Sequence, residues 1–257
     1  MKTAVNPKKH LGQHFLNDNS IAEKVALLFR DQYPGMPVIE IGPGMGVLTA
    51  FLTNTYEKVI AVDIDEESVD YLNKTMIKPN LKVIHADFLN DRIIGEILTE
   101  PSVIVGNYPY NISSQIVFKV LENIEKVAGF GGMFQKEVAE RLAAREGSKT
   151  YGILSVLLNT YYTTTYEFTV DEGVFIPPPK VKSGVIKCMR KDDFVLPCSK
   201  KLYFDVIKTA FNQRRKTLRN ALHKFNIPES HEFAKLRAEQ LSVQNFIDLT
   251  LYIAQQK

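Results

Sequence analysis

The 257-residue chain predicts an α/β fold, a doubly wound sheet of seven strands under helices, followed by a small all-helical C-terminal domain. Three observations lead there. Short apolar runs rich in Val and Ile alternate with stretches of helical length, the pattern of strands buried on both faces between covering helices. Glycines follow the first of those runs directly, where such sheets bind nucleotide-like ligands. The alternation stops at Arg190, and every periodic stretch after it reads as helix.

Taken in order, the strands fall at 37–42, 58–64, 81–87, 102–107, 128–134, 161–170 and 183–190. Helices are expected at 21–30, 47–54, 66–75 and 113–123, among others. No long helix separates the last two strands, which predicts that one strand runs antiparallel. Lys191-Asp192-Asp193 and Pro197 read as a linker, dividing the chain into domains 1–190 and 191–257. In the second domain Ile207, Phe211, Leu218, Leu222 and Phe225 share one side of a helical wheel and supply a packing face. Arg214 would fall in the same arc, so a break near 212–214 is predicted. Ser242 reads as the cap of a final helix. The sequence holds no internal repeat.

Hydrophobic residues make up 45% of the chain and charged residues 24%, which argues for a soluble globular protein and against disorder. The opening residues are polar, and no apolar run approaches the length of a membrane helix, so a cytoplasmic protein with no membrane association is expected. Cys188 and Cys198 cannot build a disulfide framework and read as reduced thiols. The net charge is only +3, but Lys200 to Lys224 holds eight basic residues against the single acid Asp205. A basic segment on an otherwise acidic chain points to a polyanionic partner.

The glycine turn reads Glu40-Ile41-Gly42-Pro43-Gly44-Met45-Gly46. Glycine lets the backbone turn sharply and approach a ligand. The dinucleotide fingerprint would place its third glycine at position 47, which is Val47. The observed spacing, with Glu40 ahead of it, suits a cofactor lacking a pyrophosphate, such as S-adenosylmethionine. Asp63 closes the second strand, where an acid holds ribose hydroxyls, and Asp87 closes the third, within reach of an adenine amine. Either acid could instead cap the helix that follows it; Asp65 is the better cap, leaving Asp63 for the ligand.

The fourth strand ends in Asn107-Tyr108-Pro109-Tyr110. An adenine amine is a poor nucleophile because its lone pair is delocalised into the ring. Acceptors placed where its protons point favour the tetrahedral geometry needed for attack on a methyl group. The Asn107 side-chain oxygen and the Tyr108 backbone carbonyl are the natural pair. Pro109 stiffens that backbone and Tyr110 offers a stacking face. Phe175, opening the proline-rich stretch Phe175 to Val181, reads either as a stack for the base's second face or as a core aromatic. His10 and His14 stand four apart, but with Gly12 between them and no acid or cysteine nearby they are read as loop residues; no metal site is expected. Arg214, Arg215, Lys216 and Arg219 lack interleaved acids and read as contacts to RNA phosphate rather than as a solvated helix face.

These residues resemble the KsgA-type family of small-subunit ribosomal RNA adenine dimethyltransferases, over essentially the whole chain. The resemblance rests on Leu11-Gly12-Gln13-His14-Phe15-Leu16, Glu40 to Gly44, Asn107 to Ile112, Gln135 to Arg141, Tyr151-Gly152 and the stretch from Phe175 to Ser183. It implies a Rossmann-like class I methyltransferase domain with a helical, RNA- and ribosome-binding C-terminal domain, acting on 16S rRNA within the small ribosomal subunit; a monomer is expected separately, since no exposed apolar seam stands out in the sequence. The implied reaction dimethylates two adjacent adenosines in a hairpin loop near the 3′ end, with a role in late subunit assembly. By position the resemblance puts the cofactor contacts on His14, Leu16, Gly42, Asp63, Asp87 and Asn107. His14 stands where many relatives carry Asn, Tyr108 where Leu is common and Asp63 where Glu is common. Two alternatives share much of the pattern: a large-subunit rRNA adenine dimethyltransferase, and a non-catalytic ribosome assembly factor on the same fold. The segment Phe211 to Asn220 favours the small-subunit group over the first, and the intact glycine turn and Asn107 weigh against the second.

Overall fold

The computed structural model describes residues 5–192 and 194–256; Asp193 of the predicted linker lies outside them. The first half runs β1 (Phe15–Leu16), α1 (Asn19–Ala26), β2 (Val38–Ile41), α2 (Val47–Thr55), β3 (Val59–Asp63), α3 (Glu66–Thr75), β4 (Leu81–His85), α4 (Asp91–Ile97), β5 (Ser102–Asn107) and α5 (Ser113–Glu122). The second runs β6 (Val127–Gln135), α6 (Lys136–Ala143), α7 (Ile153–Tyr161), β7 (Tyr162–Val170), β8 (Phe175–Ile176), β9 (Ser183–Arg190), α8 (Lys200–Asn212), α9 (Leu218–Ala221) and α10 (Val243–Gln255).

Seven strands form one sheet in the order β4-β3-β2-β5-β6-β9-β7, and β1 pairs with β8 as a separate ribbon. All seven expected strands are therefore present, with the last two side by side. Strands β2 to β6 associate in parallel, whereas β9 is antiparallel to β6, with Ser183 opposite Gln135. The central strands are buried along their length: all four residues of β2 and all five of β3. That is why their sequences are continuous rather than alternating. Strand β4 closes one edge and is correspondingly only half-buried. Strand order reverses between β2 and β5, so a crevice opens beyond their carboxyl ends, the place where open α/β sheets bind ligands.

Helix α1 starts at Asn19, two residues earlier than its apolar pattern suggests, because the Asp18 carboxylate accepts the Ser20 and Ile21 amides. It stops at Ala26 rather than Arg30: Leu28 bonds back to Val25 and Arg30 to Leu27, the tighter spacing of a closing turn.

The chain forms two compact units, one of residues 1–139 with 164–190, the other of 140–163 with 191–257. The predicted boundary at Arg190 coincides with one crossing between them, but the helical unit also recruits 140–163. Helix α7 lies in that segment and is not among the helices expected from the sequence. Six consecutive residues from Ser155 to Thr160 are buried, and the polar ones among them bond inside the fold, Ser155 Oγ donating to the Arg141 carbonyl and Asn159 Nδ2 to the Ser155 carbonyl, so no solvent-facing stripe marks the helix.

Within the helical unit the Tyr203 and Thr160 hydroxyls lie 2.9 Å apart, tying α8 to α7. The Phe211 ring centroid lies 5.9 Å from that of Phe246 on α10. Ile207, Leu218 and Leu222 are fully buried, and Phe211 and Phe225 half-buried, as the wheel predicts. The break falls at 213–217, and the Ser242 hydroxyl caps α10 by accepting the Asn245 amide. Among the described residues no helix is long and apolar enough to cross a membrane.

Candidate active site

Beyond the carboxyl ends of β2, β3, β4 and β5 lies an open cleft holding about 930 Å³ of non-atom space, its mouth included. Its lining brings together His14, Gly42, Gly44, Asp63, Asp87 and Asn107 to Tyr110. A smaller recess beside it is lined by Leu16 and Glu40 together with Gly42 and Asn107. Residues 11–15 also line the main cleft, so the N-terminal segment forms one of its walls.

Gly42, Gly44 and Gly46 all take left-handed backbone angles, which explains why the turn is written in glycine. At Gly44 a Cβ would meet the Phe15 ring at 2.7 Å, so space and conformation both demand glycine. The Gly44 amide donates to one Asp63 carboxylate oxygen at 3.2 Å, and the Asp65 amide to the other at 3.0 Å. Burial raises the Asp63 pKa above the usual carboxylate range despite those two amides. Each carboxylate oxygen has a second acceptor position, so Asp63 can shape the glycine turn and still receive hydroxyls from the cleft.

Asp65 caps α3 by accepting the Glu67 amide. It also accepts from Ser68 Oγ, Gln13 Nε2 and Lys8 Nζ. That Gln13 and Lys8 support Asp65 is not legible in the sequence, because they lie more than fifty residues from it. Asp87 is exposed and accepts the Leu89 amide at 2.8 Å, while Asn90 caps the next helix. The helix-cap reading thus belongs to Asp65 and Asn90.

Glu40 is 1% exposed, and its Oε2 has no partner. Burial, only partly offset by Thr49 and reinforced by the Asp63 charge, pushes its pKa up to about 8. A buried polar atom without a partner is expensive, and this one borders the recess under the glycine turn.

The Asn107 amide nitrogen donates to the His14 carbonyl at 2.7 Å. That bond orients the side chain and leaves its oxygen to accept. The Tyr108 side chain turns away from the cleft. It is 1% exposed, donates to the Gly131 carbonyl at 2.7 Å, and packs between Phe130 and Phe134. Its hydroxyl is thus committed to the core rather than to the cleft. The Tyr110 hydroxyl lies 2.6 Å from Ser183 Oγ, and its ring centroid 5.3 Å from that of His14. His14 Nδ1 in turn donates to the Pro177 carbonyl at 2.7 Å.

Phe175 departs from the stacking expectation. It is 1% exposed, sits opposite Leu16 in the β1–β8 ribbon and belongs to the hydrophobic core. Its ring therefore presents no face to the cleft. This is the core-aromatic alternative, and its physical cause is that β8 pairs with β1 and turns the side chain inward.

In the helical unit the basic cluster divides. Arg214 donates to the Lys149 carbonyl at 2.7 Å and lies 3.8 Å from Glu239, so it braces the fold. Arg219 pairs with Glu229 at 2.9 Å and Lys224 with Asp205 at 2.8 Å. The acids facing Arg214 and Arg219, Glu239 and Glu229, come from later in the chain. Arg215 and Lys216 are exposed to solvent.

Residues 4–255 match the family model described as ribosomal RNA adenine dimethylase. A protein of Flavobacterium johnsoniae named ribosomal RNA small subunit methyltransferase A is 54% identical over 251 residues, spanning 96% of this chain and 95% of the relative. The protein of that name from Cytophaga hutchinsonii is 52% identical, covering 96% of both chains. Among solved structures, a dimethyladenosine transferase from Plasmodium falciparum superposes with a TM-score of 0.80 at 25% identity, over 95% of this chain and 98% of that one. The 23S rRNA methyltransferase ErmE superposes with a TM-score of 0.68 at 23% identity, over 91% of this chain and 98% of that one, a likeness of fold alone.

Proposed function

The chain belongs to the ribosomal RNA adenine dimethylase family, and from that premise we propose how its cleft carries out the family reaction. It is an S-adenosylmethionine-dependent enzyme of Rossmann-like class I methyltransferase fold that dimethylates adenine in 16S rRNA of the small ribosomal subunit. The target is a pair of adjacent adenosines in a hairpin loop near the 3′ end, flipped out of their stack to reach the cleft. The enzyme works as a cytoplasmic monomer during late subunit assembly.

S-adenosylmethionine, when bound, supplies an electrophilic methyl group on a sulfonium. The residues present fit it. The left-handed turn from Gly42 to Gly46 allows close backbone approach. Asp63 would hold the ribose hydroxyls and Asp87 the adenine amine. The partnerless oxygen of Glu40 suits a cationic amino group, and Leu16 and His14 would complete the wall.

On the other side, Asn107 carries the reading. Its amide is committed to the His14 carbonyl, so its oxygen, with the Tyr108 backbone carbonyl, can accept the two amine protons of a target adenine. Holding those protons favours the tetrahedral amine and steers its lone pair at the methyl group. Tyr110 supplies the stacking face. In the helical unit, Arg215 and Lys216 would meet RNA phosphate; Arg214 and Arg219, engaged with protein partners, contribute mainly by placing that segment.

The test is methylation of small and large subunits lacking adenine dimethylation, using labelled S-adenosylmethionine and mapping the product. Label on adjacent adenosines of small-subunit RNA is the expected result. Label on large-subunit RNA, or binding without label, would overturn it.

A further inference from the structure

The base-facing side of the cleft is held by a segment that the reaction itself does not use. Because β9 runs antiparallel to β6, its first residue, Ser183, lies at the edge where the parallel strands end and Asn107 emerges. Ser183 is fully buried, and its Oγ lies 2.6 Å from the Tyr110 hydroxyl. The chain leading into β9 makes a second contact of the same kind: the Pro177 carbonyl accepts from His14 Nδ1 at 2.7 Å. The His14 ring lies beside Tyr110, with centroids 5.3 Å apart and planes inclined by 30°.

We propose that Ser183 is a positioning residue for methyl transfer, fixing the plane of the Tyr110 ring against which the target adenine stacks. The proposal rests on the reading of Tyr110 as the stacking face. A tyrosine ring can swing about its two side-chain torsions. Here the far end of the ring is pinned by the Ser183 hydroxyl and one side is flanked by His14, which is itself fixed through Pro177. The tilt of the stacked base, and hence the direction of its amine lone pair, then follows from a bond between residues 73 positions apart. A phenylalanine could stack equally well but could not be pinned in this way, which explains the hydroxyl at position 110.

The experiment compares Ser183→Ala, Tyr110→Phe, the double variant and Tyr110→Ala in steady-state methylation of undimethylated small subunits, with the cofactor dissociation constant measured alongside. Ser183→Ala and Tyr110→Phe should each lower kcat roughly tenfold, since a misaligned platform costs orientation more than binding. Cofactor affinity should stay at its wild-type value. The double variant should fall no further than either single one, because both remove the same bond. Wild-type turnover in Ser183→Ala and Tyr110→Phe, with Tyr110→Ala crippled, would overturn the role of Ser183 and leave the stacking reading intact. Wild-type turnover in Tyr110→Ala would overturn both. Multiplying losses in the double variant would show that Ser183 acts through its strand rather than through Tyr110, and would also overturn the proposal. If Ser183→Ala fails to fold, Tyr110→Phe removes the same bond at a half-buried ring and decides by the same change in kcat.

Discussion

The two sides of the cleft are supported over very different distances along the chain. On the cofactor side the glycine turn directly follows β2, and Asp63 is tied to Asp65 two residues on and to Gly44 nineteen back. On the base side Asn107 is oriented by His14 across 93 residues, Tyr110 by Ser183 across 73, and His14 by Pro177 across 163. The first side is a product of local backbone conformation. The second exists only once β1, β5, β8 and β9 have been assembled. Substitutions should therefore act on the cofactor side through turn geometry and on the base side through lost orientation.

The largest effect is expected at Asn107. Asn107→Ala removes an acceptor for the amine, and turnover should fall by about 10²–10³-fold, the usual cost of one transition-state hydrogen-bonding group. Particle binding should persist. Single-turnover methylation with a parallel binding assay checks this; wild-type turnover would contradict the role assigned to Asn107. On the cofactor side Gly44→Ala places a side chain in a left-handed conformation and against the Phe15 ring. A loss of about 1–2 kcal/mol is expected from conformation alone, with more from the contact. Thermal unfolding and titration with S-adenosylhomocysteine would read it. If Gly44→Ala impaired only turnover and left both stability and cofactor binding untouched, the two sides would not be separable as argued.

A third prediction uses pH. Glu40 has its pKa pushed up to about 8 by burial, from an ordinary 4.5. The folded cofactor-free protein thus keeps a proton that the unfolded chain releases. Stability should fall as pH rises from about 4.5 through about 8, and Glu40→Gln should flatten that slope. A cationic amino group placed beside Glu40 favours the carboxylate, so cofactor binding should release a proton. Affinity should then rise by up to about tenfold per pH unit below pH 8. Calorimetry in buffers of different ionisation enthalpy measures the proton directly; no release between pH 5 and 8 would remove Glu40 from the cofactor site.

The same contrast decides what could be read from the sequence. The seven strands, their order of appearance, the glycine turn and the Asn107–Tyr110 end of β5 are local patterns, and all were legible. Asp65 could be separated from Asp63 as the helix cap because capping is a rule about neighbours. Ser183, Gln13 and the His14 carbonyl were not legible as supports, since each acts on a partner defined by tertiary pairing. Phe175 shows the limit most clearly. Its position beside a proline-rich rim suggested a face for the base, whereas pairing of β8 with β1 buries it. Helix α7 is hidden for a related reason: its polar residues Ser155, Asn159 and Thr160 bond inside the fold rather than marking a solvent face. The basic cluster looked unpaired because Glu229 and Glu239 arrive from later turns.

The smallest effect is expected at Lys8, which tests whether the N-terminal wall of the cleft is held locally or by the assembled core. Lys8 and Gln13 both donate to Asp65, and Lys8 keeps about a third of its side chain exposed. A partly exposed ion pair contributes only about 0.2–1 kcal/mol. Burial raises the Asp65 pKa, but bonds from Gln13, Lys8 and Ser68 outweigh it and bring the group below its ordinary value. A carboxyl lowered in the folded state stabilises at neutral pH, and loses that contribution as pH falls through its folded value. Lys8→Met should therefore cost little at pH 7, and the difference from wild type should shrink in acid and in high salt. Gln13 would still hold the segment to Asp65, and the Asn107 amide would still hold the His14 carbonyl, so cofactor affinity should change by less than about threefold. A larger loss in Lys8→Met, measured by the same calorimetry, would mean that this one cation organises the wall and that the N-terminal segment belongs with the locally supported side after all.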